Sequence, residues 1–191
     1  MKLAKKFLSP VGYYDYIQLP VWLHNNFFGR IPIPCIRNFF ANILLGVNLN
    51  KESAVLQNVR FARRKNFSIG SGSVLNNNCQ IDNRFPVTIG ENCSISYGTK
   101  ILTKGHDIDS PIFKTKGGPV VVGNYVWVCA FSIISPNVKL GEGCVVLPGS
   151  VVVTDIEPYM VVGGNPAKFV RMRNTNLNYV PKWNPCFPMW S

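Results

Sequence analysis

The sequence predicts an all-β solenoid: a parallel β-helix coiled from six-residue repeats, with a short helical segment before it and an extended tail behind. Three observations carry this reading. Aliphatic residues recur at every sixth position, glycine repeatedly follows them, and a small or β-branched residue repeatedly stands four places after them. Neither the helical period nor the two-residue alternation of a flat strand favours an integer six.

The register falls into three blocks. Ile69, Leu75 and Ile81 form the first. Ile89, Ile95 and Ile101 form the second, after a two-residue slip containing Pro86. Val122, Val128, Ile134, Leu140, Val146 and Val152 form the third without a break. Glycine follows the anchor at Gly70, Gly90, Gly123 and Gly141, and the fourth place holds residues such as Ser73, Cys79, Cys93, Thr99, Ser132, Cys144 and Ser150. One inward aliphatic and one inward small residue describe one face of a triangular coil. Three hexads close a coil of eighteen residues, and stacked coils bury a continuous core. A sandwich of short strands would alternate at period two and would not hold six across 122–152.

Length and composition agree. At 191 residues the chain suits one domain with appendages, and its 47% hydrophobic content argues against disorder. Twenty Lys and Arg against nine acids leave a net charge of +11, which favours a polyanionic partner. No nucleic-acid-binding motif accompanies that charge, so nucleic acid is not the expected partner. The start "MKLAKKFLSPVGYYDY" lacks an apolar run of signal-peptide length, and "FFANILLGV" (39–47) is too short to span a bilayer. A cytoplasmic location is expected. Cys79, Cys93 and Cys144 occupy small-residue places in the hexads, which predicts packed, reduced thiols and no disulfide framework.

The predicted organisation has three parts: an aromatic and basic N-terminal segment (1–47), the β-helix (48–165) and a basic C-terminal segment with its tail (166–191). Within the first, Ile36, Phe39, Phe40, Ile43 and Leu44 follow helical spacing and predict a short amphipathic helix. Within the second, Ile101 and Val122 stand twenty-one residues apart, three more than one coil, and the intervening 103–121 is expected to leave the solenoid as a loop. The tail, with three prolines and two tryptophans, is expected to lie over the solenoid or a neighbouring subunit.

The motif of an aliphatic residue, glycine, two variable residues and a small residue resembles the hexapeptide repeat of the left-handed β-helix acyltransferases. The resemblance covers residues 48–171 and is closest in "GHD" (105–107), "VVVGNYVWV" (120–128) and "VVGGNPAKFVRM" (161–172). It is to the O-acetyltransferases of the galactoside, nodulation, xenobiotic and colanic-acid types. It implies a left-handed parallel β-helix, a homotrimer with active sites between subunits, and acetyl-coenzyme A as acetyl donor. No metal is expected. The chain's two histidines, His24 and His106, exclude the carbonic anhydrases of the same fold, which need three around one zinc.

Acetyl transfer to an alcohol needs a base for the hydroxyl proton, and imidazole suits that task. The resemblance assigns it to His106. Asp107 is the candidate to orient the ring, as a carboxylate does in hydrolase triads, although a backbone carbonyl serves equally well. Asp109 is the other candidate for that role, or else a solvated loop acid. Asn76 matches a substrate-hydroxyl ligand of the galactoside type, or else a corner residue of the coil. For the cofactor, the resemblance assigns Trp127, Ala130, Pro148, Val153 and Thr154 to the pantetheine arm. Lys168 and Arg171 go to the phosphates, with Arg173 a weaker third. Cys129 and Pro148 depart from the Gly or Ala of most relatives.

The resulting expectation is an O-acetyltransferase acting on a saccharide hydroxyl in surface polysaccharide biosynthesis. The alternatives are a xenobiotic (antibiotic) O-acetyltransferase and a non-catalytic scaffold. Basic residues Lys2, Lys5, Lys6, Arg30 and Arg37, with aromatic Tyr13, Tyr14, Tyr16, Trp22, Phe27 and Phe28, suit either a solenoid cap or a peripheral contact with an anionic membrane bearing a lipid-linked acceptor. The cap is the favoured reading.

Overall fold

The computed structural model describes residues 10–50 and 52–181, with side chains from residue 18 onward. Three parallel sheets form the faces of a triangular solenoid. The first face stacks Asn48–Leu49, Phe67–Ile69, Val87–Ile89, Val120–Val122 and Lys139–Leu140. The second stacks Ala54–Val55, Val74–Leu75, Ser94–Ile95, Trp127–Val128, Val145–Val146 and Met160–Gly164, and Ala167–Met172 then folds back antiparallel on the last of these. The third stacks Arg60–Phe61, Gln80–Ile81, Lys100–Ile101, Ile133–Ile134 and Val151–Val152.

The anchors align as the six-residue register requires. Ile69, Ile89, Val122 and Leu140 are successive partners on the first face. Leu75, Ile95, Val128, Val146 and Val162 are partners on the second, and Phe61, Ile81, Ile101, Ile134 and Val152 on the third. All but a few per cent of each is hidden from solvent, in one continuous core. The small fourth-place residues are buried at the corners, and there Cys79 and Cys144 are pushed up to about 12 and Cys93 to about 11 by burial of the thiol. The column Gly70–Gly90–Gly123–Gly141 is fixed by close approach of successive coils. A Cβ on Gly70 would stand 2.7 Å from the Gly90 carbonyl carbon, and one on Gly141 would stand 2.5 Å from Pro158 N.

Two lengths of coil coexist. The upper coils repeat every eighteen residues, as in Val128↔Val146. The lower coils repeat every twenty, as in Val55↔Leu75 and Leu75↔Ile95. The two extra residues lie at the corner between the third and first faces, in 62–66 and again in 82–86. The uniform eighteen is therefore corrected, and Leu49, Val55 and Phe61 join as a first rung. The gap after Ile101 is corrected likewise. Ile101 and Val122 are consecutive anchors, so the surplus is a single excursion at one corner and not an additional coil.

Helix α1 (Pro10–Asn26), a 3-10 turn (Phe28–Arg30) and helix α2 (Pro34–Phe40), which continues as a π turn (Ala41–Leu45), close the N-terminal end. They satisfy the open edge of the first coil, where backbone groups have no strand below them. Asn25 Nδ2 donates to Phe61 O at 2.8 Å and its Oδ1 accepts from Phe61 N at 3.1 Å. Arg37 Nε donates to Val55 O at 2.8 Å, Asn58 N donates to Gly29 O and Lys65 N donates to Leu45 O. The side chains of Val21, Ala41, Leu45 and Val47 complete the core. The expected helix over 36–44 is present, but its buried face is the opposite one. Pro34, Arg37, Ala41 and Leu45 face the coil, while Ile36, Phe39 and Ile43 are 40–58% exposed. The physical reason is Arg37, whose guanidinium is drawn inward to the two carbonyls Val55 O and Ile31 O.

Behind the solenoid, the segment opened by Pro166 is a strand and not a loose arm. The chain then straps the corner between the first and second faces. Arg173 donates to Tyr125 O, Gly143 O and Tyr179 Oη, and Tyr179 Oη donates to Tyr125 O. Arg173 is thus a structural tie, which removes it from the candidate phosphate ligands. No helix among the described residues is long and apolar enough to cross a membrane. Lys2, Lys5 and Lys6, the side chains of Tyr13, Tyr14 and Tyr16, and tail residues 182–191 lie outside the described residues.

Candidate active site

The excursion at the corner between the third and first faces is a β-hairpin, where the sequence predicted a loop. Lys104–His106 pairs antiparallel with Thr115–Gly117, placing His106 opposite Thr115. At its foot Gly118 N donates to Thr103 O at 3.0 Å, so the chain leaves and re-enters the coil at one point. Gly117 allows that pinch, because a Cβ there would lie 2.3 Å from Thr103 O.

Asp82 and Arg84, from the coil below, fix the base. The Asp82 carboxylate accepts from the backbone N–H groups of Thr103 and Lys104, and from Arg84 Nε and Nη2 at 2.8 Å each. Arg84 Nη2 also reaches Lys104 O at 3.2 Å. Burial works against ionisation of this carboxyl, but the Arg84 guanidinium and the backbone donors outweigh it and hold its pKa below the ordinary value. Neither residue was singled out from sequence. Their only signal is an acid and a base two apart inside the slip before Pro86.

His106 is exposed at the hairpin, with its ring stacked on Phe113 at 3.7 Å between centroids. Its Nδ1 lies 2.8 Å from Phe113 O. A carbonyl can only accept, so the neutral ring carries its proton on Nδ1 and its lone pair on Nε2. That is the tautomer a general base needs. The orienting group is therefore the Phe113 carbonyl and not Asp107, whose Oδ1 accepts from Asp109 N at 3.3 Å instead. A cleft of about 530 Å³ opens beside the ring, lined by Gly105, His106, Lys116, Gly117, Pro136 and Asn137.

The other predicted residues lie elsewhere on the triangle. Trp127 is on the second face, 45% exposed, and its Nε1 donates to Ser96 Oγ at 3.1 Å. Lys168 and Arg171 lie on the antiparallel strand of that face, exposed and without a carboxylate partner among the described residues. Ala130 and Pro148 flank the corner between the second and third faces, where Gly149 N donates to Ala130 O. Val153 and Thr154 are exposed beyond the third face, one coil above Ser135 and Pro136. Asn76 is a corner residue whose Nδ2 donates to Ile95 O at 3.0 Å. Within one chain, only Val153 and Thr154 share the corner of the His106 cleft. Among the described residues no His, Cys, Asp and Glu group is gathered as a metal site would require.

Comparison with known proteins supplies the context for this arrangement. Residues 119–154 match the bacterial transferase hexapeptide (six repeats). The chain is 35% identical over 109 residues to a chloramphenicol acetyltransferase of Klebsiella aerogenes, covering 46% of this chain and 52% of that protein. It is 32% identical over 119 residues to the galactoside O-acetyltransferase of Escherichia coli K12, covering 61% and 59%. The chain thus spans little more than half the length of these relatives. A galactoside acetyltransferase solved in complex with coenzyme A superposes with a TM-score of 0.72 at 25% identity, covering 83% of this chain and 80% of that one. The repeats, the continuous triangular core and these matches agree: the chain carries the bacterial transferase hexapeptide over 119–154 and is similar, over its solenoid, to acetyltransferases built on that repeat.

Proposed function

We propose that this protein is an acetyl-coenzyme A-dependent O-acetyltransferase acting on a saccharide hydroxyl, with His106 as general base. The observation that carries the reading is the 2.8 Å contact between His106 Nδ1 and Phe113 O, which leaves Nε2 as the basic nitrogen beside an open cleft. The role of the acetyl donor is to supply an activated thioester carbonyl. His106 would take the proton from the acceptor hydroxyl as its oxygen attacks the thioester carbonyl, the Phe113 carbonyl stabilising the ring as it becomes cationic; the carbon–sulfur bond would then break and the ring return the proton to the departing thiolate.

The chain's own residues fit the donor. Trp127 offers a flat surface with its N–H already partnered, and Lys168 and Arg171 offer exposed cations without a carboxylate partner among the described residues, Arg171 Nη1 donating to Met172 O. These lie on the second face, whereas His106 stands at the far end of the third. The site is therefore assembled between subunits, His106 from one facing Trp127, Ala130 and Pro148 of the next, in a homotrimer. The hairpin tip supports this, since Ile108, Ile112 and Phe113 are 95%, 81% and 69% exposed and are left uncovered by the described residues of this chain.

The acceptor reading has one rival with a specific basis, the similarity to chloramphenicol acetyltransferases. Incubation with acetyl-coenzyme A and a panel of hexoses, surface oligosaccharides and chloramphenicol, followed by thiol release and by NMR of the ester, decides between them. Saccharide esters are expected. Turnover of chloramphenicol alone supports the drug-modifying reading, and no thiol release with any acceptor supports a non-catalytic scaffold. Sedimentation should give a trimer, and a monomer at micromolar concentration overturns the shared site.

A further inference from the structure

We propose that the cap and the two lower coils form a binding site for an anionic group on the acceptor, a sugar carboxylate or a sugar phosphate. The proposal rests on the acyl-transfer reading above and adds the charge class of its substrate.

The geometry begins with a cleft of about 520 Å³ between the N-terminal cap and the corner joining the second and third faces. Asn25, Arg30, Gln57, Arg60, Asn78 and Gln80 line it, with no acid among the described residues that do. A second cleft of about 230 Å³ shares Asn25, Arg60 and Gln80 and extends to Asp82 and Leu102. Leu102 directly precedes Thr103, the foot of the His106 hairpin. The two clefts together make a trough along the third face that ends at the base of the catalytic loop.

Its polar groups divide into two kinds. The Asn25 amide is held by both backbone groups of Phe61, and Gln57 Nε2 donates to Arg30 O at 3.0 Å, so these build the floor. The Arg30 and Arg60 guanidiniums have no carboxylate partner among the described residues, where the ion pair found is Arg84–Asp82. That pair occupies Asp82, the one carboxylate among the described residues of the trough, so it does not compete with a ligand.

Arg60, Gln80 and Lys100 stand in register on successive strands, outward and exposed. They present two cations and an amide along the wall on rigid strand positions. A guanidinium fork matches the oxygens of a carboxylate or phosphate. The bias continues beyond the trough, since ten of the twenty Lys and Arg residues, but two of the nine acids, fall within residues 1–66.

The test compares methyl β-D-glucuronoside and glucose 6-phosphate with the neutral methyl β-D-glucoside. Equilibrium binding and kcat/KM for acetyl transfer are measured for the wild-type protein, Arg30→Gln, Arg60→Gln and the double variant. The wild-type protein should favour at least one anionic sugar by roughly tenfold or more, the size of one charge-assisted contact. The double variant should lose that margin and retain its affinity for coenzyme A. The margin should also shrink as salt rises. A favoured glucuronoside identifies a carboxylate ligand, and a favoured sugar phosphate identifies a phosphate ligand.

The proposal is overturned if all three sugars bind alike, if none binds, or if the preference survives in the double variant. Failure of the acyl-transfer reading looks different: no affinity for acetyl-coenzyme A and no thiol release with any acceptor.

Discussion

His24 and His106 are the two histidines of this chain, and the fold gives them opposite environments. His24 is 1% exposed inside the cap, edge-on to Phe61, and its Nδ1 has no hydrogen-bond partner among the described residues. Burial lowers its pKa to about 4, and nearby Arg37 pushes the same way, against an opposing contact with the Val59 backbone. It is a neutral space-filling ring. His106 is exposed, stacked on Phe113 and fixed in one tautomer by a carbonyl. The residue type is identical; the difference lies in whether the chain at that point closes the core or leaves it.

The sharpest way to break this contrast is to remove each ring in turn. His106→Ala should lower kcat by about a hundredfold or more, with coenzyme A affinity and thermal stability nearly unchanged. A variant retaining most of the wild-type rate would take His106 out of the mechanism.

His24 should instead report through stability. Its folded pKa is about 4 against an ordinary 6.5, so between those values the unfolded chain binds a proton that the folded one refuses. Stability is therefore full above pH 6.5 and falls as pH drops toward 4, by on the order of 3 kcal/mol. Denaturant titrations across that window should show the slope, and His24→Gln should flatten it while leaving the rate per folded molecule intact. Asp82 also loses its contribution in acid, as pH falls through its lowered pKa, and that part remains in the variant.

A subtler break moves His106 without removing it. In Gly117→Ala the new Cβ meets Thr103 O, so the hairpin must shift at its foot. The expected result is a fall in kcat on the order of tenfold with little change in stability, since the hairpin lies outside the core. An unchanged kcat would mean that the pinch at Gly117 does not set the position of the ring.

Much of the solenoid was legible because its physics is periodic. Ile69 to Val152 show their stacking through spacing alone, and the buried small residues at the corners follow from the same count. The first rung, Leu49, Val55 and Phe61, escaped because two extra residues at each lower corner break that count. Helix α1 escaped for a different reason. Pro20 stands inside it, and aromatic and β-branched residues, which are indifferent helix formers, make up much of its sequence; Val21 packs on the core. The buried face of α2 was misread because Arg37 is a charged residue placed inward to close a sheet edge, against the usual ordering of burial.

At the site, His106 stood out from its motif, but its partner could not. The group that orients it is a main-chain oxygen, and no side chain at position 113 encodes that. The cofactor candidates could be named singly but not as a constellation, since the fold of one chain spreads them over one face and two corners.

The hairpin foot has a consequence for how such a protein changes length. Ile101 and its next-coil partner Ile134 are thirty-three residues apart, whereas Ile134 and Val152 are eighteen apart on the same face. The surplus of fifteen is therefore a graft, inserted at a corner and sealed by the Gly118-to-Thr103 hydrogen bond. An insertion of one residue within a face would turn the next anchor outward, but at this seam any number can enter without disturbing a rung above or below. The scaffold and the chemistry are separable inheritances: the three faces keep their six-residue count, while the corner between the third and first faces, which takes two extra residues in the lower coils and the His106 hairpin above them, is open to change in length.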